Sequence, residues 1–518
     1  MTAECRVVVY RYDLKYLLTV LQTITTSKEF FLADYESTLF PLRMNRLMVE
    51  KYSEEVLRFI QRECLSPDGG FQSQHRVFAT KRGWFLRPTV KLDPVAELFL
   101  YDFVYRNRSL FKGPLPPNRK VFGYRIVAGA PLPILQSYQD YKKVIAKNRE
   151  SYSCHAYLDV ASYFNRIYHH DLVAWWENVG GAPSDVAILG KFLRESASGR
   201  TVDCLPQGIY PAKMIGAAFL NFLENSNRIR CAESVRLMDD MWFFDDDPAI
   251  LISDFLTAQS LLSDRGLSIN EQKSGIVETA GQQFELPLNL DEMKVRLLQR
   301  RREQLIQNGY ADSESQTSDD NDLGEELSPE EHEYLLSLLK PDNVPEEDAE
   351  LVLTLMQDHS SDILEYLPTL IRDFPGLAKR MYHFCAKVLD KNEVAAVVLK
   401  YLNGGTQITE YQLFWLGMMV EGYLLKTPKA GALLASLYEH DDATDISRAK
   451  ILEIPENAFG LPDLRHEQLR SGHSDWPAWA AAIGSRTHPK GQRNHLLRYF
   501  RKSSKMNRLI GEFVESVF

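Results

Sequence analysis

Two adjacent carboxylates stand inside an apolar run of the sequence. The stretch RLMDDMWFFDDD, residues 236–247, places Asp239 and Asp240 among leucine, methionine, tryptophan and phenylalanine side chains. Taking an unpaired carboxylate out of water costs several kcal/mol unless a cation or hydrogen-bond donors compensate. The pair therefore predicts a positive group beside it, or else a solvated hairpin tip, because Asp-Asp between apolar runs is also common turn chemistry.

Three further stretches accompany the pair. Upstream, AYLDV ends an apolar, strand-like run at Asp159, and an aromatic residue, Phe164, follows. LPQG, residues 205–208, is a turn that opens a helical pattern. Downstream, GLSINEQKSGIV, residues 266–277, is a turn that contains Lys273 and leads into a short apolar strand. The order is therefore strand-Asp, turn-helix, hairpin-Asp-Asp and turn-Lys-strand.

This order resembles the palm domain of reverse transcriptases, which has an aspartate ending its first strand, an LPQG turn, an aromatic-x-Asp-Asp hairpin and a glycine-to-lysine segment. Leucine stands here at the usual aromatic position, Leu237. KRGWFLRPTVKLDP, residues 81–94, resembles the fingers segment of group II intron and retron enzymes, and VFGYR, residues 121–125, resembles their F-G-F-R block. The matches cover about residues 75–278 in collinear order.

The resemblance implies that the three aspartates bind metal. Phosphoryl transfer to a hydroxyl needs charge neutralised on the attacking and leaving oxygens, which two divalent cations about 3.5–4 Å apart provide. Mg²⁺ takes hard oxygen ligands and keeps several waters, and Mn²⁺ is the alternative ion. Asp159 and Asp239 are the expected ligands, with Asp240 added by analogy. Residues 245–247, also acidic, are better explained as a solvated turn before Pro248.

Nucleotide binding is implied for six matched residues: Lys81, Arg87, Phe164, Gln207, Gly208 and Lys273. Lys81 would bind the triphosphate through its compact ammonium charge, and Arg87 would bind it through the paired N–H donors of its guanidinium group. Phe164 would exclude a 2′-hydroxyl, which favours deoxynucleotides. The LPQG turn would lie under the nucleotide, and Lys273 would act as general acid on pyrophosphate or close the palm. Two of these residues have alternative explanations: Lys81 is equally well explained as a surface charge, and Phe164 as an aromatic residue of the core.

Length, charge and cysteine content narrow the class of protein. A chain of 518 residues predicts two or three domains, and its net charge of −10 argues against a surface coated with nucleic acid. The cysteines include no CxxC pair, so reduced thiols in a cytoplasm are expected, and the resemblance implies a bacterial one. No apolar run is long enough for a membrane span. His169 and His170 lack a third ligand at zinc-site spacing, and no phosphate-binding glycine motif occurs.

The chain changes character after an acidic, serine-rich stretch near residues 309–329. The predicted fold class is α+β, with reverse-transcriptase fingers and palm followed by an all-α helical-repeat domain. The predicted divisions are a helical extension, fingers and palm, a basic helix with the acidic linker, and the repeat domain: residues 1–70, 71–285, 286–330 and 331–518. Six segments after residue 330 have apolar residues at helical spacing and are predicted as helices: 331–340, 349–357, 362–374, 377–389, 393–402 and 409–425. Residues 485–508 carry eight Lys or Arg and no acid, which predicts a nucleic-acid contact, a solvated helix end, or a patch against a neighbouring subunit's acidic linker.

A helical domain in place of a thumb resembles the abortive-infection (Abi) and defence-associated reverse transcriptases of bacteria. That resemblance implies template-independent synthesis of single-stranded DNA from dNTPs, primed on a tyrosine of a homo-oligomer, trimer or hexamer, with the DNA covalently attached. Tyr10, Tyr12 and Tyr16 are the candidate primers, and each is also explained as structural. Two alternatives stay open: RNA-templated synthesis on a partner non-coding RNA, and a non-catalytic scaffold.

Overall fold

The strands that the structure describes all precede the C-terminal helices along the chain. A computed structural model describes residues 24–197, 205–278, 293–294, 297, 327–341 and 344–518. Within these ranges every strand lies before residue 279, and the residues from 327 onward form helices and turns only. The described chain is thus a mixed α and β structure. No helix in these ranges combines the length and the apolar character that crossing a bilayer requires.

The described strands form one five-stranded sheet and two separate hairpins. The strands are β1 His75–Thr80, β2 Leu86–Lys91, β3 Arg119–Phe122, β4 Ile126–Val127, β5 Ala130–Pro131, β6 Cys154–Asp159, β7 Glu233–Leu237, β8 Asp240–Asp245 and β9 Gly275–Glu278. The large sheet has the order β3-β7-β8-β6-β9, with β3 parallel to β7 and the other neighbours antiparallel. The strands β1 and β2 form a separate antiparallel hairpin, as do β4 and β5.

Helices cover the sheet and precede it. The helices before residue 279 are α1 Ser27–Asp34, α2 Arg43–Phe59, α3 Pro94–Arg106, α4 Ile134–Ser151, α5 His169–Asn178, α6 Pro183–Ser196, α7 Tyr210–Phe219, α8 Asn221–Glu224 and α9 Pro248–Ser263. Local sequence fixes several of the helix starts. Asp93 accepts hydrogen bonds from the backbone N–H groups of Val95 and Ala96, and Asp247 accepts one from Ala249, so both aspartates are N-caps.

The C-terminal region is built from short helices that follow one another closely. They are α10 Pro329–Ser337, α11 Glu346–Leu355, α12 Leu367–Asp373, α13 Ala378–Lys387, α14 Lys391–Leu402, α15 Glu410–Met419, α16 Ala430–Glu439, α17 Asp445–Leu452, α18 Leu461–Arg470, α19 Trp476–Gly484, α20 Lys490–Phe500 and α21 Lys505–Val517. Two predicted helices are divided. The segment 362–374 changes from a 3-10 helix, Ser360–Tyr366, to α12, which has Pro368 in its first turn, and the segment 409–425 ends as a π-helix.

The C-terminal helices pack back onto the N-terminal ones. Helix α21 lies against α2, where the rings of Tyr52 and Phe513 are 5.4 Å apart. Glu453, which follows α17, accepts hydrogen bonds of 2.9 Å from the backbone N–H groups of Arg43 and Met44 at the start of α2. A carboxylate at a helix N-terminus satisfies donors that the helix leaves free. One hydrophobic core therefore spans both regions, across the predicted boundary at residue 331.

The basic C-terminal tail is only partly available to solvent. Arg493 is 2% exposed, Arg486 donates to the backbone carbonyls of Glu453 and Ile483, and Arg501 pairs with Glu515. The remaining exposed basic side chains are Lys490, Arg498, Lys502, Lys505 and Arg508. Of the acidic stretch and the basic helix predicted before it, the greater part lies outside the described residues.

Candidate active site

The Asp-Asp pair occupies the tight turn between β7 and β8. Leu237 and Asp240 face each other across the hairpin, so Met238 and Asp239 form the two-residue turn. Met238 has a φ of 56°, in the left-handed region that non-glycine residues seldom adopt. Such a conformation costs about 1–3 kcal/mol and persists only where the surrounding structure holds it. The carboxylates are thus presented from a constrained backbone.

A buried arginine provides that constraint. Arg236 is fully buried, and its Nη1 donates to the Met238 carbonyl at 2.9 Å. Its Nε and Nη2 contact Glu224 at 2.6 and 2.9 Å, a bidentate ion pair between the sheet and α8. Further donations go to the Ala217 carbonyl and the Asn221 side chain. The guanidinium therefore connects the Asp239 turn to two helices below the sheet.

The third aspartate lies beside the turn because of strand register. Asp159, at the end of β6, pairs directly with Asp240 of β8, so their side chains lie on the same face of the sheet. The two carboxyl groups are within hydrogen-bonding reach of each other. The backbone N–H of Asp159 donates to Ser274 Oγ at 3.1 Å, and its carbonyl accepts from Asn270 at 2.8 Å. The predicted aspartates therefore converge at one end of the sheet.

The electrostatics of the cluster reflect this crowding. The pKa of Asp239 rises to about 7, first because burial removes water from its carboxyl group and then because Asp240 and Asp159 are close. The pKa of Asp240 rises to about 6, for the same first reason and then through Asp159, although part of its side chain stays exposed. Carboxylates in this state gain most from a nearby cation, because a positive charge relieves both causes.

Three predicted basic residues face the same space. Lys81 follows β1 directly, and Arg87 lies opposite Ala79 in the β1–β2 hairpin. The pKa of Lys81 is lowered by partial burial, then by the charges of Arg87 and Lys273, while Asp239 and Asp159 act in the opposite direction. Charges that act on one ammonium group must lie close to it. Arg87, Lys273, Asp239 and Asp159 are therefore all within electrostatic reach of the Lys81 ammonium group.

Two residues of this space were missed by the sequence reasoning. Lys142, on α4, lowers the pKa of Asp240, and burial together with Asp240 and Asp239 raises the pKa of its neighbour Tyr141. The Lys142 ammonium group lies 5.9 Å from the centre of the Tyr141 ring. A tyrosine-lysine pair on an amphipathic helix resembles any solvated helix face, so the sequence offers no signal for it.

The remaining predicted residues occupy other positions. The backbone N–H of Gln207 donates to Thr89 Oγ1 in β2 at 3.1 Å, so the LPQG turn lies under that hairpin. A Cβ on Gly208 would lie 3.0 Å from Leu39, so the chain is closely packed there. Phe164 is 5% exposed, with its ring against Gly216 of α7, which is a core position. Its proposed contact with the sugar stays a prediction. The candidate primers Tyr10, Tyr12 and Tyr16 lie outside the described residues.

The acidic residues after β8 have local structural roles. The Asp245 carboxylate accepts a hydrogen bond from the backbone N–H of Ala232, and the Asp246 carboxylate accepts one of 2.9 Å from the backbone N–H of Ser153. Asp247 is the N-cap of α9. They therefore act in turns and caps, as the sequence suggested for a turn before a proline. His170 is exposed and pairs with Asp171.

The donor set of the cluster suits a hard divalent cation. Asp159, Asp239 and Asp240 offer carboxylate oxygens only, which Mg²⁺ and Mn²⁺ prefer. The raised pKa values of Asp239 and Asp240 come first from burial and then from the neighbouring carboxylates, and bound cations would relieve both effects. Among the described residues, the three are not gathered as tightly as a single-ion site, whose ligand atoms would all lie within 4.8 Å. Ligands shared between two ions can be spread more widely.

Comparison with known proteins adds little at this point. No protein-family model and no curated protein matches the chain. Among solved structures, a chain from telomerase of Candida albicans in complex with a TWJ fragment of telomeric RNA is similar over 90% of this chain and 70% of that chain. The identity is 11% and the TM-score is 0.27. A likeness of this degree supports no functional conclusion, so the case for an activity rests on the site geometry.

Proposed function

We propose that the chain is a reverse-transcriptase-like DNA polymerase that joins deoxynucleotides by two-metal phosphoryl transfer. The observation that carries this proposal is the convergence of three aspartates and three basic residues: Asp159, Asp239, Asp240, Lys81, Arg87 and Lys273. Carboxylates that would hold metal ions, together with nearby basic side chains that would contact phosphate oxygens, fit a metal-bound triphosphate. A scaffold without catalysis has no need to hold repelling carboxylates together.

The reaction forms a bond between a hydroxyl oxygen and the α-phosphorus of a dNTP, breaks the bond to pyrophosphate, and releases the hydroxyl proton to solvent. Two Mg²⁺ ions held by the aspartates would neutralise charge on the attacking and leaving oxygens. Lys81 and Arg87 would orient the triphosphate as a point charge and a fork. Lys273, in the turn before β9, would donate a proton to the departing pyrophosphate. Arg236 would keep the Asp239 turn in place.

We further propose that synthesis is template-independent, starts from a tyrosine of the chain, yields single-stranded DNA and serves anti-phage defence in a homo-oligomer. The support is the resemblance to abortive-infection reverse transcriptases together with the all-helical C-terminal region. A phenol is a suitable acceptor once a metal or base lowers its pKa from about 10. Tyr10, Tyr12 and Tyr16 are the proposed acceptors.

A nucleotide-only assay tests the proposal. Nuclease-treated protein is incubated with Mg²⁺ and labelled dNTPs, without any oligonucleotide. The product is then digested separately with protease and with nuclease. Label that migrates with the protein and is released by nuclease supports protein-primed synthesis. Synthesis that needs an added primer would refute self-priming but leave the polymerase in place, whereas no incorporation under either condition would refute both.

The exposed basic tail supports RNA-templated synthesis as a second candidate. Lys490, Arg498, Lys502 and Arg508 are exposed, and Tyr499 among them is 56% exposed. Basic side chains beside an exposed aromatic ring are typical of single-stranded nucleic-acid contacts. An RNA that copurifies at fixed stoichiometry, with DNA complementary to it, would favour this candidate. Products of the same sequence after RNase treatment would exclude it.

A further inference from the structure

Two histidines and one aspartate form a cluster on elements that carry none of the candidate active-site residues. His332 Nε2 lies 2.9 Å from Asp362 Oδ2, and the rings of His332 and His359 are 4.8 Å apart at an angle of 66°. One ligand atom from each residue lies within 4.8 Å of the other two. No other three His, Cys, Asp or Glu residues in the described ranges meet that limit. The cluster is therefore a candidate metal site.

The backbone holds the three residues in place. Ser328 and Glu331 form a capping box at the start of α10, and the N–H of His332 donates to the Ser328 carbonyl at 2.9 Å. The N–H of Asp362 donates to the His359 carbonyl at 3.1 Å. Residues three apart in a 3-10 turn eclipse each other, so His359 and Asp362 lie on one side of the chain.

Buried neighbours anchor both elements. Leu335 of α10 and Ile363 of the 3-10 helix have no exposed surface and belong to the same hydrophobic core. The side chain of His332 is 25% exposed and that of Asp362 is 46% exposed. A metal could therefore enter from solvent, while the ligand backbones stay fixed from below. This combination distinguishes the cluster from charged residues on a mobile loop.

We propose that His332, His359 and Asp362 bind one transition-metal ion, of which Zn²⁺ fits best. Two imidazoles and one carboxylate suit Zn²⁺, Ni²⁺ or Cu²⁺ better than Mg²⁺ or Ca²⁺, which prefer oxygen ligands. Tetrahedral zinc with bonds near 2.0–2.1 Å separates its ligand atoms by about 3.4 Å. The cluster reaches that spacing by small rotations of partly exposed side chains, with water as the fourth ligand.

The consequence of metal binding would be a cross-link at the start of the C-terminal helical region. The ion would join α10 to a segment 30 residues further along the chain, which lies two helices later. The site is independent of the proposed polymerase reaction. A surface His–Asp ion pair is the alternative explanation, and the chain contains matched examples with a single histidine, His473–Asp475 and His170–Asp171.

Metal content tests the proposal directly. Full-length protein without a histidine tag is dialysed against Zn²⁺ in excess Mg²⁺, which occupies carboxylate-only sites, and bound zinc is counted by elemental analysis. We expect one equivalent in the unmodified protein, in the Asp159→Asn/Asp239→Asn variant and in the His473→Ala control. His332→Ala/His359→Ala should lose it, with at least a tenfold weaker apparent affinity. Zinc binding that is absent, or unchanged by the double substitution, would overturn the proposal.

A second measurement needs no substitution and so does not depend on how the variants fold. Diethyl pyrocarbonate modifies neutral imidazoles, and a bound metal protects them. Peptide mass spectrometry of the unmodified sequence should show that Zn²⁺ slows modification of His332 and His359 severalfold, while His473 reacts at an unchanged rate. If Zn²⁺ left the modification rates of His332 and His359 unchanged, as it should for His473, the proposed site would be refuted.

Discussion

Replacing Arg236 by methionine removes the guanidinium that supports the candidate catalytic turn. Glu224, which is 3% exposed, would then keep a buried charge without its partner. Removing one member of a buried ion pair costs about 3–5 kcal/mol. The Ala217 and Met238 carbonyls would also lose their donor, at roughly 1 kcal/mol each. We therefore expect Arg236→Met to lower the free energy of unfolding by about 5–7 kcal/mol.

A second substitution separates stability from positioning. Changing Glu224 to methionine as well removes the uncompensated charge and leaves an apolar pair. Such replacements are often neutral or stabilising, so the double variant should recover about 2–3 kcal/mol of the loss. DNA synthesis should not recover, because the Met238 carbonyl still lacks its donor and the strained turn can relax. Stability and activity should thus respond differently in the same protein.

Urea-induced unfolding followed by tryptophan fluorescence measures the first effect, and initial rates of dNTP incorporation at saturating Mg²⁺ measure the second. Asp246→Asn, beyond the same strand, is the matched control because its carboxylate serves only the Ser153 turn. Two results would refute the reasoning. One is a coupling energy between the substitutions within about 0.5 kcal/mol of zero, which is the range of additive sites. The other is full activity in the double variant.

Three other predictions concern stability and the first hairpin. Gly484→Ala should destabilise the folded protein by about 3 kcal/mol, because the new Cβ would lie 2.1 Å from the Leu452 carbonyl oxygen. Gly491→Ala has open space around the new Cβ and should stabilise the folded protein by about 0.5–1 kcal/mol. Thermal unfolding of the two variants measures both effects. Burial lowers the pKa of His383 from 6.5 to about 3. Between pH 6.5 and about 3 the imidazole therefore binds a proton in the unfolded chain but not in the folded one. As the pH falls through this range, the free energy of unfolding should decrease by up to about 1.4 kcal/mol per pH unit. His383→Leu should reduce that acid dependence in denaturant titrations at pH 4–7. The Glu410 carboxylate accepts a hydrogen bond of 2.9 Å from the backbone N–H of Phe78 in β1. Glu410→Ala should therefore speed amide hydrogen exchange in β1. It should also raise KM for dNTPs several-fold, since Lys81 follows that strand.

For each of these expectations, a specific experimental result would contradict it. Equal melting temperatures for the two glycine variants would show that the chain at Gly484 moves aside without cost. An unchanged pH dependence in His383→Leu would place the acid sensitivity elsewhere, and His473→Ala serves as the surface-histidine control. Unaltered exchange and KM in Glu410→Ala would mean that the C-terminal region does not hold the hairpin. Glu439→Ala, on an exposed helix surface, is the control for that substitution.

Local sequence was sufficient to locate the strands that carry the aspartates. Asp159 and the Asp239 turn were predicted because apolar runs of strand length end at them, and the structure places β6 and β8 side by side. The six segments between residues 331 and 425 that apolar spacing predicted as helical are helical in the structure, whereas α16–α21, which follow them, were not individually predicted. Where helix 409–425 was predicted as continuous, the structure changes to a π-helix at Val420, which periodicity does not report.

Long-range contacts could not be predicted from the same patterns. Glu453 caps α2 from 410 residues away, and nothing near either residue indicates the other. Arg236 could be read as an ordinary strand charge, because its partner Glu224 is on a helix across a turn. In the basic tail, sequence gives only charge, so it could not tell that Arg493 is buried while Lys490 is exposed. Tertiary packing decides such cases.

Incorporation of labelled dNTPs by the unmodified chain and by Asp159→Asn and Asp239→Asn variants tests the central claim most directly. All three proteins are first matched for folding by circular dichroism, with Asp246→Asn as the control. We expect Mg²⁺-dependent DNA synthesis that falls at least a hundredfold in both site variants and persists in the control. Synthesis that survives in either site variant, or that is absent from every protein with or without a primer, would contradict it.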